Sequence, residues 1–269
     1  MTKKKLLLII PVVFMILLVM LMITVLKKCT GNNAGKPEVI ENVQVDYAKL
    51  QLEDDRYRYE DEYYESCFGI DVSTFQGDID WKKVKDDGVE FVFIRIGRRG
   101  ATTGLIYEDD EFEKNYQGAS ENGIRIGVYF FSQAITEKEA KEEAEWVVKQ
   151  LKGKQIDLPV VYDLEEVYLE DETPRTEGIS PETATMNALA FLETIEKNHY
   201  TGMLYTSLYW SEYYYDMDSL GAYPVWYAQY DSDAPQLDLP ISIWQYSNQG
   251  IIDGIDEKTD LNIMFLKKD

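Results

Sequence analysis

Seven short apolar runs recur from residue 67 onward, each rich in β-branched and aromatic residues: CFGIDVS (67–73), VEFVFIRIG (89–97), IRIGVYFFS (124–132), LPVVYDLE (158–165), GMLYTS (202–207), YPVWYAQY (223–230) and ISIWQYS (241–247). Each predicts a β-strand. Polar stretches with helical spacing lie between them. Residues 135–152 put Ala140, Ala144, Trp146, Val147, Val148 and Leu151 on one side and charges elsewhere, with Gly153 as a stop. Residues 180–199 open with Ser180, Pro181 and Glu182: an N-cap, a proline at the first helical position and an acid near the positive helix end. Shorter helices fit 80–87 and 112–121. Strands alternating with helices predict a mostly parallel sheet covered by helices, and strands apolar almost throughout are buried on both faces. A closed barrel and a doubly wound sheet both provide that. No GxGxxG follows the first strand, so the barrel is favoured, with functional groups at the carboxyl ends of its strands.

The N-terminal pattern is of another kind. Lys3, Lys4 and Lys5 precede an apolar run from Leu6 to Leu26 without a charged residue, which as a helix spans about 31 Å, the thickness of a bilayer core. Lys27, Lys28, Cys29 and Thr30 follow where a signal-peptide cleavage site would need small residues. Residues 1–28 therefore read as a cytoplasmic tip and a transmembrane signal-anchor in the cytoplasmic membrane. Residues 29–65 are acidic with little apolar periodicity and read as a stalk or linker, with a short helix around 47–52. Residues 66–269 read as one large domain. On this reading the domain is extracellular on a single-pass anchor, or secreted if the N-terminal segment is cleaved.

Charge and composition narrow the function classes. The chain of 269 residues carries a net charge of −22, and residues 1–28 hold five of the 27 basic side chains and none of the 49 acidic ones. Such an acidic surface repels phosphate backbones and anionic headgroups, which excludes nucleic acid as a partner. Two cysteines, Cys29 and Cys67, cannot build a disulfide framework. One histidine, His199, leaves too few ligands for a Cys/His metal site, and it sits in EKNHYTG at a helix exit rather than a strand end. No metal or cofactor is implied.

The acids sit where a barrel displays chemistry. Residues i and i+2 of a strand face the same side, so Asp163 and Glu165 project together from the end of VVYDLE, and Glu166 points away. The first strand ends at Asp71, the third at Tyr129 and the fifth at Tyr205; the next runs through Trp226 and Tyr230, and the last through Trp244 and Tyr246. Carboxylates and aromatics then converge on one rim. Glycosidic cleavage needs that set: one carboxylic acid of raised pKa to protonate the leaving oxygen, and an ionised one to stabilise positive charge or activate water. Two acids at a strand end can also open a surface loop or ligate Mg²⁺ or Ca²⁺.

DVSTFQGDIDW (71–81), YDLE (162–165), LYTS (204–207), VWYAQY (225–230) and WQYSNQGIIDGIDEKTDLN (244–262) together resemble glycoside hydrolase family 25, the Chalaropsis-type lysozymes or N-acetylmuramidases, over about residues 67–266. The resemblance implies an irregular, flattened β/α barrel, TIM-like in class, that hydrolyses the β-1,4 bond between N-acetylmuramic acid and N-acetylglucosamine in peptidoglycan. It implies Glu165 as general acid, Asp163 as the group that orients or stabilises the reacting sugar and its acetamido group, and Asp71 as the first-strand aspartate. A fourth acid is matched to Asp253, with Asp260 as second choice. Tyr129, Tyr205, Trp226, Tyr230 and Trp244 are expected to line the groove, and Gln76, Gly77 and Trp81 to be structural. Phe130 departs from the family, many members of which have histidine there. A non-catalytic glycan-binding scaffold on the same barrel is the alternative. Protein partners are unknown.

Overall fold

The computed structural model describes residues 40–268. The expected membrane segment, Leu6–Leu26, lies outside them; among the described residues no helix is long and apolar enough to cross a membrane. In chain order the elements are β1 (Gln51–Glu53), β2 (Arg56–Arg58), β3 (Tyr64–Val72), α1 (Trp81–Asp86), β4 (Phe91–Arg99), β5 (Ile106–Glu108), α2 (Phe112–Glu121), β6 (Arg125–Ser132), α3 (Glu137–Gln150), β7 (Val160–Leu164), α4 (Pro181–Lys197), β8 (Gly202–Ser207), α5 (Leu208–Tyr213), α6 (Met217–Leu220), β9 (Val225–Ala228), β10 (Ile243–Gly250) and β11 (Thr259–Lys267).

Eight strands close a ring in the order β3, β11, β10, β9, β8, β7, β6, β4, with β4 pairing back onto β3. Seven of them run parallel, while β11 is antiparallel to both its neighbours. All seven predicted strands are present, and the predicted helices appear as α1 to α4 with ends within a few residues of expectation. The eighth strand, β11, was not predicted, although LNIMFL is a plain apolar run. Without it the ring would stay open between β3 and β10.

Residues 40–65 depart from the expected stalk. Ile40, Val43, Val45 and Tyr59 are buried. Val43 pairs with Ile241 across backbone bonds, and Asn42 bonds the Tyr223 carbonyl and the Val225 amide. Composition misled here: the acids of this segment face water while a few well-spaced apolar residues dock on the domain. Residues 29–39 of the expected stalk lie outside the described residues.

Strand alternation divides the core into two layers. Outward-facing residues such as Val92, Ile94, Val128, Val160 and Tyr162 pack under the helices. Inward-facing Cys67, Phe91, Phe93, Val161, Met203, Trp226, Ile243 and Met264 fill the barrel. Two glycines make room for the large rings: a Cβ on Gly69 would overlap the Phe91 ring, and one on Gly127 the Phe93 ring. Phe93 stacks on Trp226 with ring centroids 4.7 Å apart, closing the interior below the strand ends.

Candidate active site

Continuing the inward-facing rows by one residue pair brings the polar groups together. Asp71 follows Cys67 and Gly69 on β3, Arg95 follows Phe91 and Phe93 on β4, Tyr129 follows Gly127 on β6, and Asp163 follows Val161 on β7. Tyr205 follows Met203 on β8, and Gln245 follows Ile243 on β10. Because β11 runs the other way, its row reads Met264, Asn262, Asp260, which places Asp260 directly opposite Asp71. Asp71, Arg95, Tyr129, Asp163, Tyr205, Gln245 and Asp260, with Ser73, Phe75, Gln76, Phe131, Glu165, Trp226 and Tyr230, line a cavity of about 230 Å³.

The cavity floor is Trp226, 2% exposed, with Tyr129 and Tyr205 set edge-on to it at 6.2 and 5.0 Å. Its indole N–H donates to Asn262 Oδ1 at 2.8 Å. The Asn262 amide donates in turn to Asp71 Oδ2 at 2.8 Å, and Gln245 Nε2 donates to the same oxygen at 2.8 Å. The Gln245 carbonyl accepts from the Tyr205 and Tyr230 hydroxyls at 2.8 and 2.7 Å. Every polar atom of both amides is thereby committed, and the two amides present N–H donors to Asp71. That orientation suits a carboxylate.

Four carboxyl groups occupy this space as two pairs. Asp71 and Asp260 lie within hydrogen-bond reach of each other; burial pushes Asp71 up to about 6 against its amide donors, while burial and then the Asp71 charge push Asp260 up to about 8. Asp71 Oδ2 already accepts two amide N–H bonds, which favour its ionised form, so Asp260 is the partner that carries the shared proton. Asp163 and Glu165 form the second pair, both raised by burial first, Asp163 further by the Glu165 charge. Like charges in a buried site disfavour double ionisation, so each carboxyl of this pair holds a proton more tightly than a free one would. Asp163 is 4% exposed, and apart from the neighbouring Glu165 carboxyl its Oδ1 has no hydrogen-bond partner among the described residues. A buried carboxyl oxygen left open beside a cavity is a group waiting for a ligand.

Arg95 is the one cation among the cavity-lining residues. Its Nε and a terminal nitrogen both reach Asp109 Oδ2 at 2.7 Å, and its guanidinium lies 5.0 Å from the centre of the Phe75 ring. Phe75 is 74% exposed and stands at the cavity rim. Beside Glu165 a second cavity of about 400 Å³ opens between residues 165–179 and Trp210 and Tyr214 of the α5 region. A larger one, about 590 Å³, lies under the β1–β2 hairpin at the opposite end of the barrel, and none of the predicted site residues lines it. Among the described residues no group of three or more His, Cys, Asp or Glu side chains is arranged to hold a metal ion.

Of the predicted site residues, the structure brings together Asp71, Asp163, Glu165, Tyr129, Tyr205, Trp226 and Tyr230. Two lie elsewhere. Asp253 sits in the connection between β10 and β11, where its amide N–H bonds Asp87 Oδ2 at 3.1 Å, and Asp260 holds the place in the cavity expected for it. Trp244 faces outward: it is fully buried against Tyr57, 4.9 Å between ring centroids, and its indole donates to the Gln229 carbonyl at 2.9 Å. The inward residue of that strand is its neighbour, Gln245. His199 occupies the predicted helix exit with φ of 66°, and Gly77 a turn with φ of 62°. Sequence reasoning missed Gln245 and Asn262. Parity from Ile243 would have found the first; the second needed the unassigned β11.

Known proteins resemble this chain in sequence and in fold. The family model described as glycosyl hydrolases family 25 matches residues 70–255. The chain is 29% identical over 196 residues to an autolytic lysozyme of Clostridium acetobutylicum, covering 72% of this chain and 54% of that protein, so it spans about half the relative's length. It is 29% identical over 207 residues to lysozyme M1 of Streptomyces globisporus, covering 72% of this chain and 66% of that one. The solved structure of a family 25 glycosyl hydrolase from Bacillus anthracis superposes with a TM-score of 0.61 at 26% identity, covering 79% of this chain and 94% of that one.

Proposed function

The chain belongs to glycosyl hydrolases family 25, and from that premise we propose that it is a peptidoglycan hydrolase cleaving the β-1,4 bond between N-acetylmuramic acid and N-acetylglucosamine. The observation that carries this reading is the gathering of four carboxyl groups around one aromatic-floored cavity, each with its pKa raised by burial.

The two pairs supply opposite halves of the reaction. The pair's proton rests on the more buried Asp163 and reaches the leaving oxygen through its hydrogen-bonded neighbour Glu165, the less buried member, which frees Asp163 to accept from the acetamido group of the reacting sugar. Asp71, ionised and held by two amide donors, faces the positive charge that grows at the anomeric carbon. Asp260 keeps the shared proton and spares the site a second charge. Trp226, Tyr129 and Tyr205 exclude water from the floor, which strengthens each of these interactions.

We place the domain outside a cytoplasmic membrane, held by residues 6–26, where wall glycan is at high local concentration. Tethering offsets the repulsion between an acidic domain and an anionic wall. Digestion of purified peptidoglycan with the full-length protein, followed by mass spectrometry of the new reducing ends, tests the bond assignment. Muramic-acid ends are expected. Glucosamine ends would transfer the enzyme to another bond, and binding without release would make it a glycan-holding scaffold.

A further inference from the structure

β6 and β7 run parallel and in register as far as the pair Ser132 and Leu164, and there the two chains part. The next residues in line are Gln133 and Glu165. Their backbones make no further rung, but the Gln133 side chain supplies one: its Nε2 donates to the Glu165 carbonyl at 3.2 Å. The same amide's Oε1 accepts from the Thr176 hydroxyl at 2.8 Å. A single fully buried side chain thus ties residue 165, where the loop from the proposed acid begins, to residue 176 within that loop.

Gln133 is itself held from several sides. Its carbonyl accepts from Arg175 at 3.1 Å, and another Arg175 nitrogen reaches Glu139 Oε1 on α3 at 2.7 Å. The next carbonyl, that of Ala134, accepts from Asn187 of α4 at 2.9 Å. Helices α3 and α4 therefore fix the backbone from which the Gln133 side chain reaches Glu165. A buried amide with both ends committed is costly to break, so its position is well determined.

We propose that Gln133 is a positioning residue: it sets where the Glu165 carboxyl stands by fixing the Glu165 backbone just beyond the last rung of the barrel. This rests on the reading of Glu165 as the acid. A misplacement of about 1 Å in a catalytic group costs on the order of 10²-fold in rate, so even partial release of this tether lowers turnover.

The test uses the full-length protein with Gln133→Leu, Gln133→Glu, Thr176→Val and Glu165→Gln beside wild type. It reads kcat and KM on purified peptidoglycan, the pH profile and the melting temperature. Gln133→Glu keeps an acceptor for Thr176 and loses the N–H donors to Glu165, so it separates the two bonds. Both Gln133 variants are expected to lose about tenfold or more in kcat, with KM less affected and the alkaline limb of the pH profile displaced. Thr176→Val loses less. Wild-type kcat and an unmoved alkaline limb in folded Gln133 variants, even with a lowered melting temperature, would make the residue structural only and overturn the proposal. Should neither Gln133 variant fold, Thr176→Val decides: a fall in kcat supports the tether, and wild-type kcat refutes it. Full activity in Glu165→Gln would instead remove the acid assignment itself, whatever Gln133 does.

Discussion

The two ends of the barrel interior are made from the same strands in the same alternation, yet they do opposite things. Where the parallel strands begin, Cys67, Phe91, Met203 and Ile243 pack as an apolar plug. One or two strand repeats later, the same rows present Asp71, Arg95, Tyr205 and Gln245. The plug needs only volume, and it has it, down to glycines that yield space to neighbouring rings. The polar end needs partners, and most of its atoms have them. Asp163 Oδ1, apart from the neighbouring Glu165 carboxyl, does not.

A third region keeps that contrast from being one of burial alone. Glu143 on α3 lies outside the barrel, is fully buried, and is pushed up to about 7 by burial. Both of its oxygens are nevertheless satisfied, one by Arg99 at 2.6 Å and one by Ser132 at 2.7 Å, and it borders none of the three cavities. A raised pKa marks a buried acid; an open oxygen beside a cavity marks one that can act on a ligand.

The largest expected effect is at the plug. Phe93→Ala removes a fully buried ring from between Phe91 and Trp226 and is expected to destabilise the fold by about 3–5 kcal/mol in denaturant unfolding. It should also loosen the cavity floor. A loss under about 1 kcal/mol would mean that the interior is not packed as described.

At the polar end stability depends on pH. Asp260 is raised from 3.8 to about 8, so the folded state binds its proton more tightly than the unfolded chain. The stability this contributes is complete below pH about 4 and is lost as pH rises through about 8, with a slope of at most ~1.4 kcal/mol per pH unit for one proton. Asp260→Asn is expected to flatten that decline and to be more stable than wild type at pH 9, read by thermal unfolding across the range. An unchanged slope would dissolve the Asp71–Asp260 pair.

The smallest expected effect sharpens the choice between two aspartates. Asp253→Asn, outside the cavity and bonded through its backbone, should change stability by no more than about 0.5 kcal/mol and leave turnover at wild-type level. Loss of activity there with Asp260→Asn still active would return the fourth acid to Asp253.

Much of this was legible in the sequence because strand parity is a rigid rule. Asp163 and Glu165 two apart, and Asp71, Tyr129 and Tyr205 at the ends of apolar runs, were all carried to one rim by alternation alone. Parity failed where its origin was ambiguous: in ISIWQYS the aromatic Trp244 looked like groove lining, yet Ile243 and Gln245 are the inward pair. Asp260 was ranked second because β11 was not recognised. The ladder between β10 and β11 carries two register shifts, between Gln245 and Ser247 and between Ser247 and Gly250, so local spacing could not foretell which acid would return to Asp71. The packing of residues 40–65 was hidden by their acidic composition, since burial there depends on partners nearly two hundred residues away, such as Ile241 for Val43.

The measurement that tests the central claim most directly is Glu165→Gln, assayed for peptidoglycan cleavage and for thermal stability on the same preparation. A residue placed for chemistry rather than for the fold predicts a loss of activity of about 10²–10⁴-fold with the melting temperature kept or raised, since a neutral amide replaces a carboxyl whose charge burial disfavours. Retained cleavage, or a collapse of stability accounting for the lost activity, would contradict it.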